Sequence, residues 1–261
     1  MSVMFAFKLL LVPLFILGMS LAGRRWGAGV SGWLVGLPVV AGPIVFFIGR
    51  EQGDAFASGA AHGTLTGIVS LMLYCLAYSR AAARFGWAVC LLTGWAVFLV
   101  STYFLNRLPL SLAQSFLLVL AAMACVLALL PESGPEGTPP GTPSWEIVAR
   151  MGAAVALVFL TTTLAPRLGP NLAGLLVPFP VAATVMTVFT HRYQGRASAV
   201  RLLRGLVCGL WTMALFFLIV SETVVRMGVE GSFAVAAAVD VGTHGGAFWV
   251  MRRYRASRIP S

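Results

Sequence analysis

Charge is what this sequence has least of. Only 10% of its 261 residues are Asp, Glu, Lys or Arg, while 59% are hydrophobic and the mean hydropathy is +0.91. A soluble globular domain carries about 25% charged residues, so the composition excludes one and points to a polytopic membrane protein. Histidine is scarce as well, with three in the chain. Cysteine is limited to Cys75, Cys90, Cys125 and Cys208, all inside apolar runs at unrelated spacings. That excludes a zinc-ligand pattern or a disulfide framework, and no metal or cofactor is expected. Walker A, Gly-x-Ser-x-Gly and His-Glu-x-x-His patterns are missing, and no apolar span holds two carboxylates. No catalytic residues are therefore assigned, and a membrane-embedded enzyme ranks last among the readings. The amino terminus has no basic stretch before its apolar core and no small-x-small cleavage site, so it reads as a retained first helix.

What is present begins with a net charge of +10. The arginines stand in ones to fours between apolar runs, without the interleaved polar surface that nucleic acid would need. Topology is the better explanation, and no nucleic-acid partner is expected.

A spanning helix needs about 20 mostly apolar residues. Nine stretches qualify: 3–22, 28–49, 55–79, 85–103, 109–130, 146–164, 171–190, 198–221 and 231–251. One connection differs from the short others, "PESGPEGTPPGTPS" (Pro131 to Ser144), whose prolines and glycines make it a solvated linker.

The chain also repeats itself. "GWLVGLPVVAGPIVFFIGREQG" (Gly32 to Gly53) aligns without a gap to "GLLVPFPVAATVMTVFTHRYQG" (Gly174 to Gly195), 142 residues later, with ten of 22 positions identical. The offset extends outward: Lys8 meets Arg150, Gly27 meets Gly169, and Gly63 and Gly67 meet Gly205 and Gly209. Helices one to four thus correspond to helices six to nine, and helix five has no counterpart. An odd helix between two four-helix repeats turns the second upside down. The expected fold is all-α with nine transmembrane helices in a 4+1+4 arrangement of inverted repeats. Its units are a first repeat (1–103), an unpaired helix (104–130), a Pro/Gly-rich loop (131–145) and a second repeat with a basic tail (146–261).

Charge counting gives the orientation. Alternate assignment of the connections places 13 of the 18 basic residues on one face and five on the other. By the positive-inside rule the richer face is cytoplasmic, with the amino terminus outside and the carboxyl terminus inside an inner (cytoplasmic) membrane.

Asp240 is the most informative single residue, because an acid in mid-span costs roughly 2.5–3.5 kcal/mol on insertion scales. His244 follows one helical turn later on the same face. The pair could couple transport to protons, or it could simply fasten helix nine to a neighbour. His62 lies beside Gly59, Gly63 and Gly67, a small-x-x-x-small row that lets helix backbones approach closely. It either lines a pathway or packs with its ring bonded to a carbonyl. Lys8 and Arg150 either snorkel to their interfaces or point inward as contacts for an anionic solute. Gln52 and Gln194 end the repeated helix as further candidate solute contacts. Pro38 and Pro180 fall mid-span with Pro43 and Pro178 nearby, and each proline removes a backbone donor. Paired interruptions in two inverted halves point to a transporter's central site, with these prolines as hinges.

The repeated segment resembles the second-helix region of small GlpM-type inner-membrane proteins, which are about half this length. Those chains carry a basic residue early in helix one, matched by Lys8 and Arg150, and an "AGL…FP" signature in helix two, matched around Pro38 and Pro180. The resemblance covers helices one to four and again six to nine, and implies an association with glycerol metabolism and exopolysaccharide production. Inverted four-helix units are also similar to the drug/metabolite transporter superfamily at the level of architecture. The expected function is a secondary transporter for a small anionic or lipid-like solute, proton-coupled or facilitative. The alternative is a non-transporting subunit that scaffolds a polysaccharide- or lipid-modifying complex. Expected partners are the lipid bilayer, the solute, and a second copy or other subunits.

Overall fold

The computed structural model describes residues 3–132, 143, 145–164 and 179–256, without the side chains of residues 3–9, 48, 161–164 and 247–256. Lys8's side chain, Pro178, most of the 131–145 loop and much of the expected seventh span lie outside that description. The described residues are all-helical, with no strand. In chain order the helices are α1 (Val3–Trp26), α2 (Ala28–Val35), α3 (Ala41–Gln52), α4 (Asp54–Ala81), α5 (Trp87–Leu105), α6 (Leu112–Leu129), α7 (Glu146–Leu164), α8 (Val181–Gln194) and α9 (Arg196–Ala256). Four of them are long and apolar enough to cross a membrane: α4, α5, α6 and residues 196–246 of α9. The chain is a membrane protein on that ground.

Local chemistry sets the boundaries. Ser111 opens α6 with a capping box: its hydroxyl accepts from the Gln114 amide at 3.3 Å, and the Gln114 side chain accepts from the Ser111 amide at 2.8 Å. Four junctions consist of one glycine each. Gly27, Gly53, Gly195 and Gly228 are the described residues with positive φ (92°, 92°, 83° and 73°), a region that side chains with a Cβ rarely enter.

Gly228 lies inside α9 with non-helical angles and separates residues 196–227 from 229–256. The two limbs fold back on each other. The hydroxyls of Thr223 and Ser232 meet at 2.7 Å across the turn, and Thr212 lies 3.4 Å from His244 further along. In an unbroken helix residues 32 apart would be about 48 Å apart. The expected eighth and ninth spans fall on these two limbs, with Gly228 as the turn between them.

The expected second span, 28–49, is two helices. The chain leaves helical geometry between Gly36 and Val40, and Pro38 sits in the gap. Past the break the Pro38 carbonyl accepts from the Gly42 amide at 2.7 Å. At the same offset of 142 the Pro180 carbonyl accepts from Thr184 at 2.8 Å as α8 begins. The ends match too: Gln52–Gly53–Asp54 closes α3 and opens α4, and Gln194–Gly195–Arg196 closes α8 and opens α9.

These two junctions stand at opposite ends of α4. Gly53 adjoins its first residue. The Gly195 region is fixed at its far end, where Tyr78 Oη lies 3.1 Å from His191 Nδ1 and Arg196 donates to the Ala83 carbonyl at 3.3 Å.

α4 and the first limb of α9 form the centre of the bundle, with Tyr74, Tyr78, Leu203, Leu206 and Phe217 fully buried. α2 presses on α9 through glycine. A Cβ added at Gly32 would collide with the Leu202 carbonyl, one at Gly205 with that of Gly29, and one at Gly209 with that of Trp33. The matching row on α4 behaves differently. Gly59 and Gly63 have open space where a Cβ would go, while Gly67, the third of the row, is buried. α5 and α6 lie outermost and expose Leu92, Val100, Phe104 and Leu117.

Candidate functional site

Among the described residues two buried sites each pair an acid with a basic side chain. The first lies in the second limb of α9. Asp240 and His244 are each 6% exposed, with His244 Nδ1 3.4 Å from Asp240 Oδ1. Neither of those two atoms makes a hydrogen bond to a described residue, although burying an unsatisfied polar group costs about 1–3 kcal/mol. Two contacts hold the imidazole: Thr212 Oγ1 is 3.4 Å from Nε2, and the Trp33 ring lies 4.5 Å from the imidazole centroid. Trp33 belongs to α2, three residues before the chain leaves the helix at Gly36. The pair therefore sits against the last turn before the Pro38 break.

The second site is at the start of α7. Arg150 is 3% exposed and faces inward, so it does not snorkel. Its Nε and Nη2 donate to Glu146 Oε1 at 3.1 and 2.6 Å, and Nη2 lies 3.5 Å from the Thr190 hydroxyl. The guanidinium also reaches Met186 Sδ at 3.4 Å and lies 5.7 Å from the Phe189 ring centre. Arg24, from the last turn of α1, approaches Glu146 Oε2 at 3.7 Å. A small cavity opens here, lined by Arg24, Ser31, Glu146, Arg150, Thr190 and Gln194 among others, with ≈ 10 Å³ for the centre of a water-sized sphere. That is room for about one water.

The predicted residues divide between these places and others. Arg150 and Gln194 come together at the cavity, whereas Gln52 is exposed at the end of α3. His62 Nε2 lies 2.8 Å from Ser115 Oγ on α6, so it bridges helices through a hydroxyl rather than a carbonyl. Pro38 is in the α2–α3 break, Pro43 is in the first turn of α3, and Pro180 caps α8.

The sequence reading missed Glu146, Arg24, Trp33 and Thr212. Glu146 had a signal, the i,i+4 acid–base spacing in "EIVAR" (Glu146 to Arg150). The other three are brought in by packing alone. Outside the spans, His191 is half-buried, and burial, helped by the neighbouring Arg196, lowers its pKa below the ordinary 6.5. Among the described residues no three His, Cys, Asp or Glu side chains gather to hold a metal ion.

Comparison of the chain with protein-family models, curated proteins and solved structures finds no match in any of the three.

Proposed function

We propose that this membrane protein is a secondary transporter for a small anionic or lipid-like solute, coupled to protons and working by alternating access of two inverted repeats. The observation that carries the reading is the junction of a broken helix with a buried acid–base pair. Trp33, one turn before the Pro38 break, lies against His244, and His244 faces Asp240. A carboxyl and an imidazole can exchange a proton, and a broken helix is where a transporter's central site is usually built. Any movement at the break displaces Trp33 and so changes the surroundings of the pair. Several features support the inversion: the helix starts at Pro38 and Pro180 share one hydrogen-bond pattern, and the Gly53 and Gly195 junctions stand at opposite ends of α4. The resemblance to duplicated GlpM-type proteins and the nine-span 4+1+4 arrangement belong to the same proposal.

The test is proton movement in liposomes that contain the purified protein and a solute gradient. Wild-type protein should move protons with solute, and Asp240→Asn should uncouple them. No solute-linked proton movement by the wild type, or undiminished movement by Asp240→Asn, would sink the coupling. The orientation is part of the proposal and has the amino terminus outside an inner membrane and the carboxyl terminus in the cytoplasm. Reporter fusions that place the carboxyl terminus or the 131–145 loop outside would reverse it.

A further inference from the structure

We infer that the cavity between Arg24 and Arg150 is a carboxylate-binding site, and that Glu146 is its resident carboxylate, displaced when solute enters. This deepens the transporter reading and rests on it for the carboxylate being cargo.

The site is already built around one carboxylate. Glu146 Oε1 takes two donors from Arg150, while Oε2 faces Arg24 at 3.7 Å. Arg150 and Glu146 are almost wholly buried, and the Arg24 side chain is 36% exposed. The group holds two guanidiniums and one acid, so a carboxylate stays favoured there whether Glu146 or a solute supplies it. The free space will not admit a carboxylate beside Glu146, because it holds about one water. Entry therefore requires exchange: the Glu146 side chain leaves the Arg150 fork and the solute's carboxylate takes its place, donor for donor.

The rest of the lining decides what else the solute carries. Ser31, Thr190 and Gln194 line the cavity with hydroxyl and amide groups. Ser31 already donates to the Met19 carbonyl at 2.8 Å, but its lone pairs, the Thr190 hydroxyl and the Gln194 amide can serve a hydroxyl on the solute. The class indicated is a small hydroxylated monocarboxylate. The arrangement is also one-sided. Under the offset of 142, Lys8 stands for Arg150 and Gln52 for Gln194, yet Met4 stands where Glu146 would be. The resident competitor exists in one half only, so the two ends of the pathway would hold the same anion with different strength.

Lactate is the probe, with methyl lactate as its neutral control and inorganic phosphate as a different anion. The full-length protein is assembled in phosphatidylcholine nanodiscs, and binding is read by calorimetry. Lactate should bind Glu146→Gln about tenfold more tightly than wild type, since the competitor is gone while an acceptor remains for Arg150. Arg24→Gln, at a partly exposed position that tolerates change, should weaken lactate binding several-fold, and it serves if Glu146→Gln fails to fold. Methyl lactate and phosphate should bind neither protein comparably. An affinity that neither substitution changes, or equal binding of methyl lactate, overturns the site. Flux in liposomes separates this from the broader reading. Lactate binding without flux leaves the site standing and removes the transporter. Lactate flux indifferent to Glu146 and Arg24 does the reverse.

Discussion

Two acid–base pairs at i,i+4 spacing are buried in this protein, and they are built in opposite ways. Glu146 and Arg150 are closed on each other, with donors at 2.6 and 3.1 Å, Thr190 alongside and Arg24 behind. Asp240 and His244 face each other at 3.4 Å with the facing oxygen and nitrogen both unbonded. A guanidinium does not give up its proton, so the first pair is fixed as an ion pair unless another anion replaces the acid. The second contains two groups that can each gain or lose one, and among the described residues nothing completes the hydrogen bonds of the two facing atoms. That contrast is what the two proposals above rest on, exchange of carboxylates at the first pair and of protons at the second.

The comparison breaks most visibly under truncation. Glu146→Ala leaves a buried cation without its partner and should cost about 3–5 kcal/mol, measured by reversible denaturation in mixed micelles. If it costs less than about 1 kcal/mol, Glu146 is not what holds Arg150 in place. The double change Glu146→Leu with Arg150→Met removes both charges together and should recover most of that loss. Asp240→Leu should behave in the opposite sense. Deleting an unsatisfied carboxyl should leave stability unchanged or raise it by about 1 kcal/mol, while solute-linked proton movement disappears. A large destabilisation there would mean that the pair fastens helices and does nothing more.

The two glycine rows sharpen the same contrast between halves. Gly205→Ala drives a methyl into the Gly29 carbonyl and should cost about 1–3 kcal/mol. Gly63→Ala, at the equivalent position with open space, should stabilise by about 0.5–1 kcal/mol through its better helix propensity. Equal effects would remove the difference between the rows. The smallest effect concerns His191, whose folded pKa lies below 6.5 because burial and Arg196 disfavour its charge. As pH falls through 6.5 the unfolded chain takes up the proton first, so stability declines from there toward the folded pKa and levels off below it. A melting-temperature series across that range should show the decline, and His191→Gln should flatten it.

Much of this was legible in the sequence because it is local. One helical turn separates Asp240 from His244 and Glu146 from Arg150, and a proline at position 38 announces its own break. Spacing along one helix fixes such facts before any helix meets another. The contacts that make the sites were not legible, since Trp33 and His244 are 211 positions apart and only packing joins them. The glycine row on α4 makes a related point, with Gly59 and Gly63 open and Gly67 buried. Small-x-x-x-small states that a close approach is possible, and the partner decides which face receives one. The single expected span over 28–49 reflects hydropathy alone, which does not see a five-residue break, whereas the spans over 198–221 and 231–251 fall on the two limbs either side of Gly228.

The four single-glycine junctions have a mechanical consequence. Helices joined by one residue have ends that cannot separate by more than a peptide unit or two, so they can pivot about that joint but cannot slide past each other. α1 is tied in this way to α2, α3 to α4, α8 to α9, and the limbs of α9 to each other. Between α1 and α4 the only slack is the stretch from Gly36 to Val40. From α1 to α4 a body jointed in this manner behaves as a linkage, in which rotation at Gly27 or Gly53 is taken up in the stretch from Gly36 to Val40. That place carries Pro38, one turn from the ring that rests on His244.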